Sequence, residues 1–171
     1  MAEEQTKKII EFLGRNKLKY KLIVHKAIYT SEEGARARGL ELRSGVKSLI
    51  FKFGKDKFRL LLVRGDRKAD LKKLREIFNV KNIRLASPEE VLKISGCEIG
   101  SVHPFGMLMN SGGVDGVDGL DGLDGLEIIM DESILENTDV DFSIGQHTHS
   151  AEMAARDFLK LLKPRIEEFT V

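Results

Sequence analysis

Gly96-Cys97-Glu98-Ile99-Gly100-Ser101-Val102-His103-Pro104-Phe105-Gly106 is the stretch around which the chain is organised. Three glycines and a proline bracket an apolar and polar alternation. That pattern predicts a short strand running into a tight bend, whose backbone approaches a ligand more closely than side-chain-bearing residues allow. Gly and Pro also punctuate ordinary loops, so a structural turn after a helix is the competing reading. A second stretch has to decide between them.

Residues 46–53 and 58–63 are apolar runs joined by Gly54-Lys55-Asp56-Lys57, the pattern of a β-hairpin with a glycine-containing loop. Alternation puts Lys47, Leu49, Phe51 and Phe53 on one face of the first strand and Val46, Ser48, Ile50 and Lys52 on the other. Lys47 thus belongs to the more apolar face. An ammonium aimed inward either snorkels to water or serves a site, because burying it unpaired is costly.

The remaining elements frame these two stretches. Residues 3–13 read as a helix with Ile9, Ile10 and Leu13 on one face. Leu18, Tyr20, Leu22 and Val24 alternate as a strand that ends at His25. Thr30-Ser31-Glu32-Glu33 matches a capping box, starting a helix to about residue 38 that Gly39 stops. A helix over 70–78 and a short strand over 82–85 follow. Ser87-Pro88-Glu89-Glu90 then combines an N-cap serine with a first-position proline, and that helix runs to Gly96 and into the bend. Strands over 126–130 and 140–144 flank a turn or short helix at 131–135, and a closing helix over 154–162 ends at Pro164. Residues 114–125 repeat Val-Asp-Gly or Leu-Asp-Gly four times. Collagen needs many more triplets and abundant proline, and the alternate oxygen ligands of an EF-hand are missing, so this reads as an acidic loop between two strands, without chemistry.

Composition bounds the function. The 171 residues, 42% hydrophobic and 32% charged, suit one soluble domain spanning 1–171. A net charge of +1 argues against coating nucleic acid by bulk charge, although a local basic patch can still touch a phosphate backbone. Cys97 is the single cysteine, and no apolar run approaches the roughly 20 residues that cross a bilayer; a cytoplasmic protein without membrane contact is expected. In Gly145-Gln146-His147-Thr148-His149-Ser150 the His-x-His pair, read as strand, would put two imidazoles on one face, as some zinc sites require. Two ligands are too few, and the better expectation is one histidine facing a pocket.

Several of these residues fall into one pattern. The chain resembles the YbaK family of aminoacyl-tRNA editing domains, the prolyl-tRNA-synthetase-associated or insertion-domain deacylases. The shared features are the histidine-ended strand before Thr30-Ser31-Glu32-Glu33-Gly34-Ala35, then Val46-Lys47-Ser48-Leu49-Ile50-Phe51 and the loop Gly100-Ser101-Val102-His103-Pro104-Phe105-Gly106. Ile128-Ile129-Met130-Asp131-Glu132-Ser133 and Gly145 complete the set, whose order spans nearly the whole chain. Two departures stand out: the Asp-Gly triplets lengthen one connection, and Phe142-Ser143-Ile144 replaces the usual context of the late glycine.

The resemblance implies a mixed α/β domain with a largely antiparallel, barrel-like sheet flanked by helices. It implies trans-editing hydrolysis of misacylated tRNA carrying a small amino acid of the Ala, Cys, Ser or Thr class. Lys47 matches the functional lysine, and Gly100 with Pro104 matches the Gly-x-x-x-Pro loop. Lys47 and Gly100 are therefore the candidate catalytic residues, and Ser101, Val102, Pro104, Phe51, Gly145 and His147 the candidate substrate-binding ones. No metal or other cofactor is expected, and the partners are tRNA and an aminoacyl-tRNA synthetase. The chemistry agrees: ester hydrolysis needs a held carbonyl, oxyanion donors and a placed water, and no Ser-His-Asp or Cys-His order suggests a covalent intermediate. Two other classes stay open, a non-catalytic tRNA- or synthetase-binding module of the same fold and a metal-dependent hydrolase built on His147 and His149.

Overall fold

The expected hairpin is the centre of the molecule. In the computed structural model, which describes residues 2–110 and 125–171, β2 (Val46–Phe53) pairs antiparallel with β3 (Lys57–Arg64), setting Lys47 opposite Val63. The Val114–Gly125 triplets lie, except for Gly125, outside the described residues. Counted from the N-terminus, α1 (Ala2–Arg15), β1 (Tyr20–Val24) and α2 (Ser31–Arg38) precede the hairpin. After it come α3 (Leu71–Phe78), β4 (Ile83–Leu85) and α4 (Pro88–Ser95). The chain closes with β5 (Ile128–Asp131), β6 (Asp139–Ser143), β7 (His149–Ala154), α5 (Ala155–Leu162) and β8 (Arg165–Glu167).

Two sheets result, a five-stranded one ordered β4-β2-β3-β5-β8 and a three-stranded one ordered β1-β7-β6. The fold is mixed α/β, as expected, and mainly antiparallel, but β3–β5 and β5–β8 pair in parallel. Among the described residues the strands do not close into one barrel; the sheets meet through the bridge between Gly45 and Asp141. The central strands are buried on both faces. Ile50, Leu60, Leu62, Ile128 and Met130 pack into the larger core with α1, α4 and the three-stranded sheet. Phe51, Phe53, Leu61, Val63 and Ile129 pack into a smaller core beneath α3 and Phe169. Burial on both faces explains why Leu60-Leu61-Leu62-Val63 is a continuous apolar run instead of an alternation.

Local signals set the helix boundaries. Ser87 and Glu90 make a full capping box, whereas Glu33 reaches back to the amide of Tyr29 instead of that of Thr30. The expected strand inside 96–106 does not form. The Ser101 amide turns back onto the Glu98 carbonyl and Pro104 has no N–H to give a ladder, so the stretch is irregular throughout. At β1, Tyr20 packs against the core, whereas Leu22 and Val24 further along the strand are exposed.

Asp131, at the end of β5, anchors the last residues. Its carboxylate accepts from the amides of Phe169 and Thr170 at 2.9 and 3.1 Å, from the Thr170 hydroxyl at 3.0 Å, and from the amide and hydroxyl of Ser133. These donors hold its carboxyl below the usual aspartate range against the opposing effect of burial.

Gly65, where β3 ends, marks the tightest approach. Its amide donates to the Gly45 carbonyl at 2.7 Å, and a Cβ there would stand 2.3 Å from the Leu42 carbonyl oxygen. Gly65→Ala is therefore expected to destabilise the protein by about 1–3 kcal/mol. Gly14→Ala, in a helix with nothing within 4 Å of the new methyl, should stabilise it by about 0.5–1 kcal/mol. Thermal melts of the two variants check the contrast; equal melting temperatures would contradict the packing described for Gly65.

Candidate active site

A cavity of about 230 Å³ opens between α2, the first residues of β2 and the glycine bend. Lys47 and Ser48 line it from β2, Gly100 and Val102 from the bend, and Arg38 and Asp141 from α2 and β6. Tyr29 and Ile99, both more than half exposed, stand among the lining residues and form its rim.

The bend is held from behind. Gly145 donates its amide to the Ser101 carbonyl at 3.0 Å. The 144–146 turn is in turn clamped by α1, where the Thr6 hydroxyl donates to the Ile144 carbonyl at 2.7 Å and accepts from the Gln146 side-chain Nε2 at 2.9 Å. Gly100 adopts φ +92°, a left-handed conformation that L side chains rarely take, and a Cβ there would come 3.2 Å from Cε1 of His147. Glycine is thus required both by the turn and by its neighbour. The Ser101 amide is already used on the Glu98 carbonyl, and among the described residues no protein acceptor takes the amides of Gly100 and Val102.

Lys47 is half-buried and donates Nζ to the Arg67 carbonyl. Burial pushes its ammonium below the usual lysine range, opposed by the charges of Glu32 and Asp66 and reinforced by that of Lys68. Its placement on the face of Leu49 and Phe51 agrees with the strand alternation, but the three side chains diverge. Lys47 and Leu49 line the cavity; Phe51 lies further along, where α3 covers the sheet, and belongs to the smaller core. Ser101 and Pro104 are buried behind the wall, and Gly145 packs against Gln5 and Thr6. His147 supports the bend: its ring touches Gly100 and lies 4.5 Å from that of Tyr29, with Nδ1 3.0 Å from the Ile28 carbonyl and Nε2 3.3 Å from Glu98. It sits in the turn before β7, which starts only at His149, so the two histidines do not share a strand face. Among the described residues no three His, Cys, Asp or Glu side chains converge as metal ligands.

Arg38 and Asp141 escaped the sequence reading. Arg38 closes a short helix and resembles a solvent-facing residue. Its guanidinium instead donates to Asp141 at 2.6 Å through Nη1, to Ser150 at 2.8 Å through Nε, and to Ser143 at 3.4 Å through Nη2. Asp141 also accepts from Ser44 at 2.7 Å. His25, the expected strand terminator, joins the network through Ser150 at 2.8 Å. One signal was available: an aspartate between Val140 and Phe142, in the middle of a strand, where aspartate is disfavoured unless something binds it.

Inside the bend, two titratable groups are silenced by burial. Cys97 is pushed up to about 11 and remains a thiol. His103 is fully buried; its Nδ1 accepts from the Phe105 amide at 3.1 Å, so Nε2 carries the hydrogen and has no partner among the described residues.

Comparison with known proteins now bears on this geometry. Residues 25–161 match the family model of the aminoacyl-tRNA editing domain. The multifunctional Ser/Thr-tRNA deacylase ProXp-y of Escherichia coli strain K12 is 25% identical over 166 residues, covering 95% of this chain and 90% of that one. A proline–tRNA ligase of Geobacillus sp. strain WCH70 is 38% identical over 78 residues, which are 46% of this chain and 14% of the ligase. The crystal structure of a protein described as a candidate trans-editing enzyme for prolyl-tRNA synthetase superposes with a TM-score of 0.76 at 25% identity, over 99% of this chain and 97% of that one.

Desolvation holds His103 at a pKa of about 3 against an ordinary 6.5. Below pH 6.5 the unfolded chain binds a proton that the folded protein refuses, so stability falls as pH drops from 6.5 towards 3. The slope this one group contributes is about 1.4 kcal/mol per pH unit. His103→Asn, which keeps an acceptor for the Phe105 amide, should flatten the profile by that amount between pH 6 and about pH 4.5. Denaturant titrations across this range test it, and parallel profiles for both proteins would refute the assignment.

Proposed function

The chain belongs to the aminoacyl-tRNA editing domain family, and from that premise we propose that it deacylates misacylated tRNA carrying a small amino acid. The observation that carries this reading is that Lys47, Gly100 and Val102 line one small cavity, and that the amides of the two bend residues have no protein acceptor among the described residues. The water oxygen adds to the ester carbonyl carbon. As the tetrahedral oxyanion forms, the two amides donate to it, and collapse breaks the bond to the ribose oxygen, which leaves with the proton of the attacking water. Donors fixed by a bend that is itself clamped from behind need little reorganisation during the reaction. Lys47, with Nζ already bound to the Arg67 carbonyl, has two further N–H groups with which to hold the terminal ribose or phosphate, or the carbonyl.

Cavity size supports the substrate class. At about 230 Å³ it falls below the roughly 300–1,000 Å³ usual for drug-sized ligands, which suits one small aminoacyl group. The name of the multifunctional Ser/Thr-tRNA deacylase relative also favours small amino acids, and the polar wall of Arg38, Asp141 and Ser143 suits a hydroxyl. In this reading the water attacks without a metal, the developing charge being met by the bend amides. Similarity to a segment of a proline–tRNA ligase supports a working partnership with such a synthetase. The alternative, a tRNA-binding module without catalysis, uses the same cavity and differs only in turnover.

Deacylation of alanyl-, cysteinyl-, seryl- and threonyl-tRNA, with and without chelator, tests the reading. Turnover of at least one substrate, unchanged by the chelator, is expected. Lys47→Ala should lower kcat by about 10²-fold or more while the melting temperature stays near that of the parent, because the lysine is half-buried and strained by desolvation. Binding of tRNA without hydrolysis would favour the non-catalytic module, and full activity of Lys47→Ala would remove the lysine from the site.

A further inference from the structure

A second hollow, of about 300 Å³, lies at the far end of β2, lined by Lys52, Gly54, Arg75, Lys81, Asn82, Ile83 and Arg84. Four of its seven lining residues are cationic and none is acidic, in a chain whose 28 basic and 27 acidic residues leave a net charge of only +1. Lys52 and Arg84 are direct cross-strand partners between β2 and β4, a juxtaposition of like charges that disfavours the sheet it belongs to. Glu90 neutralises only Arg84, gripping its guanidinium at 2.7 and 3.0 Å. Arg75 uses Nε on the Lys81 carbonyl at 3.1 Å, which fixes the arginine and leaves both terminal nitrogens free among the described residues. Lys81 is exposed and has no side-chain partner there, and Lys52 lies 5.6 Å over the Phe58 ring.

We propose that this hollow seats the phosphate backbone of the tRNA stem whose aminoacylated end occupies the cavity. The proposal rests on the reading of the chain as acting on tRNA. Lys52 follows Lys47 by five residues on one strand, roughly 17 Å at 3.3 Å per residue, and alternation turns its side chain to the opposite face, whereas Arg75 stands on α3, which covers the face that Lys47 shares. An RNA held at its 3′ end by the cavity must therefore extend along β2 to reach the hollow. The free guanidinium nitrogens of Arg75 and the ammonium of Lys81 suit phosphate oxygens, which position a nucleic acid without reading its sequence. An acidic protein surface is the rival occupant. The lining favours RNA, since Ile83 is its one apolar residue, and that side chain is buried, whereas the centre of a protein interface is apolar and aromatic.

The test is salt-dependent binding of an RNA minihelix bearing the acceptor stem and its single-stranded 3′ end, compared with the 3′-terminal trinucleotide alone. In the double variant Lys52→Gln/Lys81→Glu the slope of log K against log salt for the minihelix should fall by about 1 for each lysine, and trinucleotide affinity should change far less. Lys81→Glu alone, at an exposed position, is the variant that leaves folding intact, and melting curves verify this for both. An unchanged minihelix slope would overturn the proposal. So would an equal loss for the trinucleotide, or a loss confined to binding of a prolyl-tRNA synthetase, which would assign the hollow to a protein. These readouts are independent of hydrolysis: a wild-type protein that binds the minihelix through these lysines but fails the deacylation panel loses the catalytic reading and keeps this one.

Discussion

The ion pair between Arg38 and Asp141 is the interaction on which the cavity depends. It links α2 to the middle of β6, and its hydroxyl partners Ser44, Ser143 and Ser150 come from a turn and from two strands of the smaller sheet. Both side chains are more than nine-tenths buried, so the desolvation of each charge is offset only by the other and by these hydrogen bonds. Removing one partner of such a pair costs about 3–5 kcal/mol, a large fraction of the stability of a typical domain. The pair stands in the cavity wall and at the junction of the two sheets. Forming the cavity and joining the sheets are therefore one event, and neither sheet alone contains the site.

Backbone constraint supplies the opposite wall. Thr6 on α1 grips the 144–146 turn, and the turn holds Ser101, which stands between the cavity-lining Gly100 and Val102. A hydrogen-bond chain that starts on the N-terminal helix thus braces a loop nearly a hundred residues later. His147 and the exposed Tyr29 lie on the same chain of contacts, so the cavity rim is braced by groups that do not line its floor.

Much of this was legible in the sequence. The hairpin, the capped starts of α2 and α4, and the glycine stops rest on local chemistry, and local chemistry is readable from a short window. Lys47 stood out because a charge interrupted an apolar face. What could not be read is pairing between distant segments. β7 carries few apolar residues and owes its strand to partners on both sides, β1 and β6, while β8 has three residues and pairs in parallel with β5. Arg38 illustrates the same limit: nothing near position 38 announces an aspartate more than a hundred residues away. The bend at 96–106 fails as a strand for a related reason, since its alternation meets no partner strand and its hydrogen bonds go to a turn.

Asp131 carries one more implication, for the order in which the protein matures during synthesis. The carboxylate that ends β5 is satisfied by amides at positions 169 and 170, and Phe169 fills the smaller core beneath α3. A nascent chain translated as far as β7 already has every strand of the small sheet and all residues of the cavity. It still lacks the Phe169 side chain that packs with Leu61, Val63 and Ile129 beneath α3, and leaves a buried carboxylate short of donors. The residues that line the cavity are therefore translated before those that complete the packing beneath the sheet.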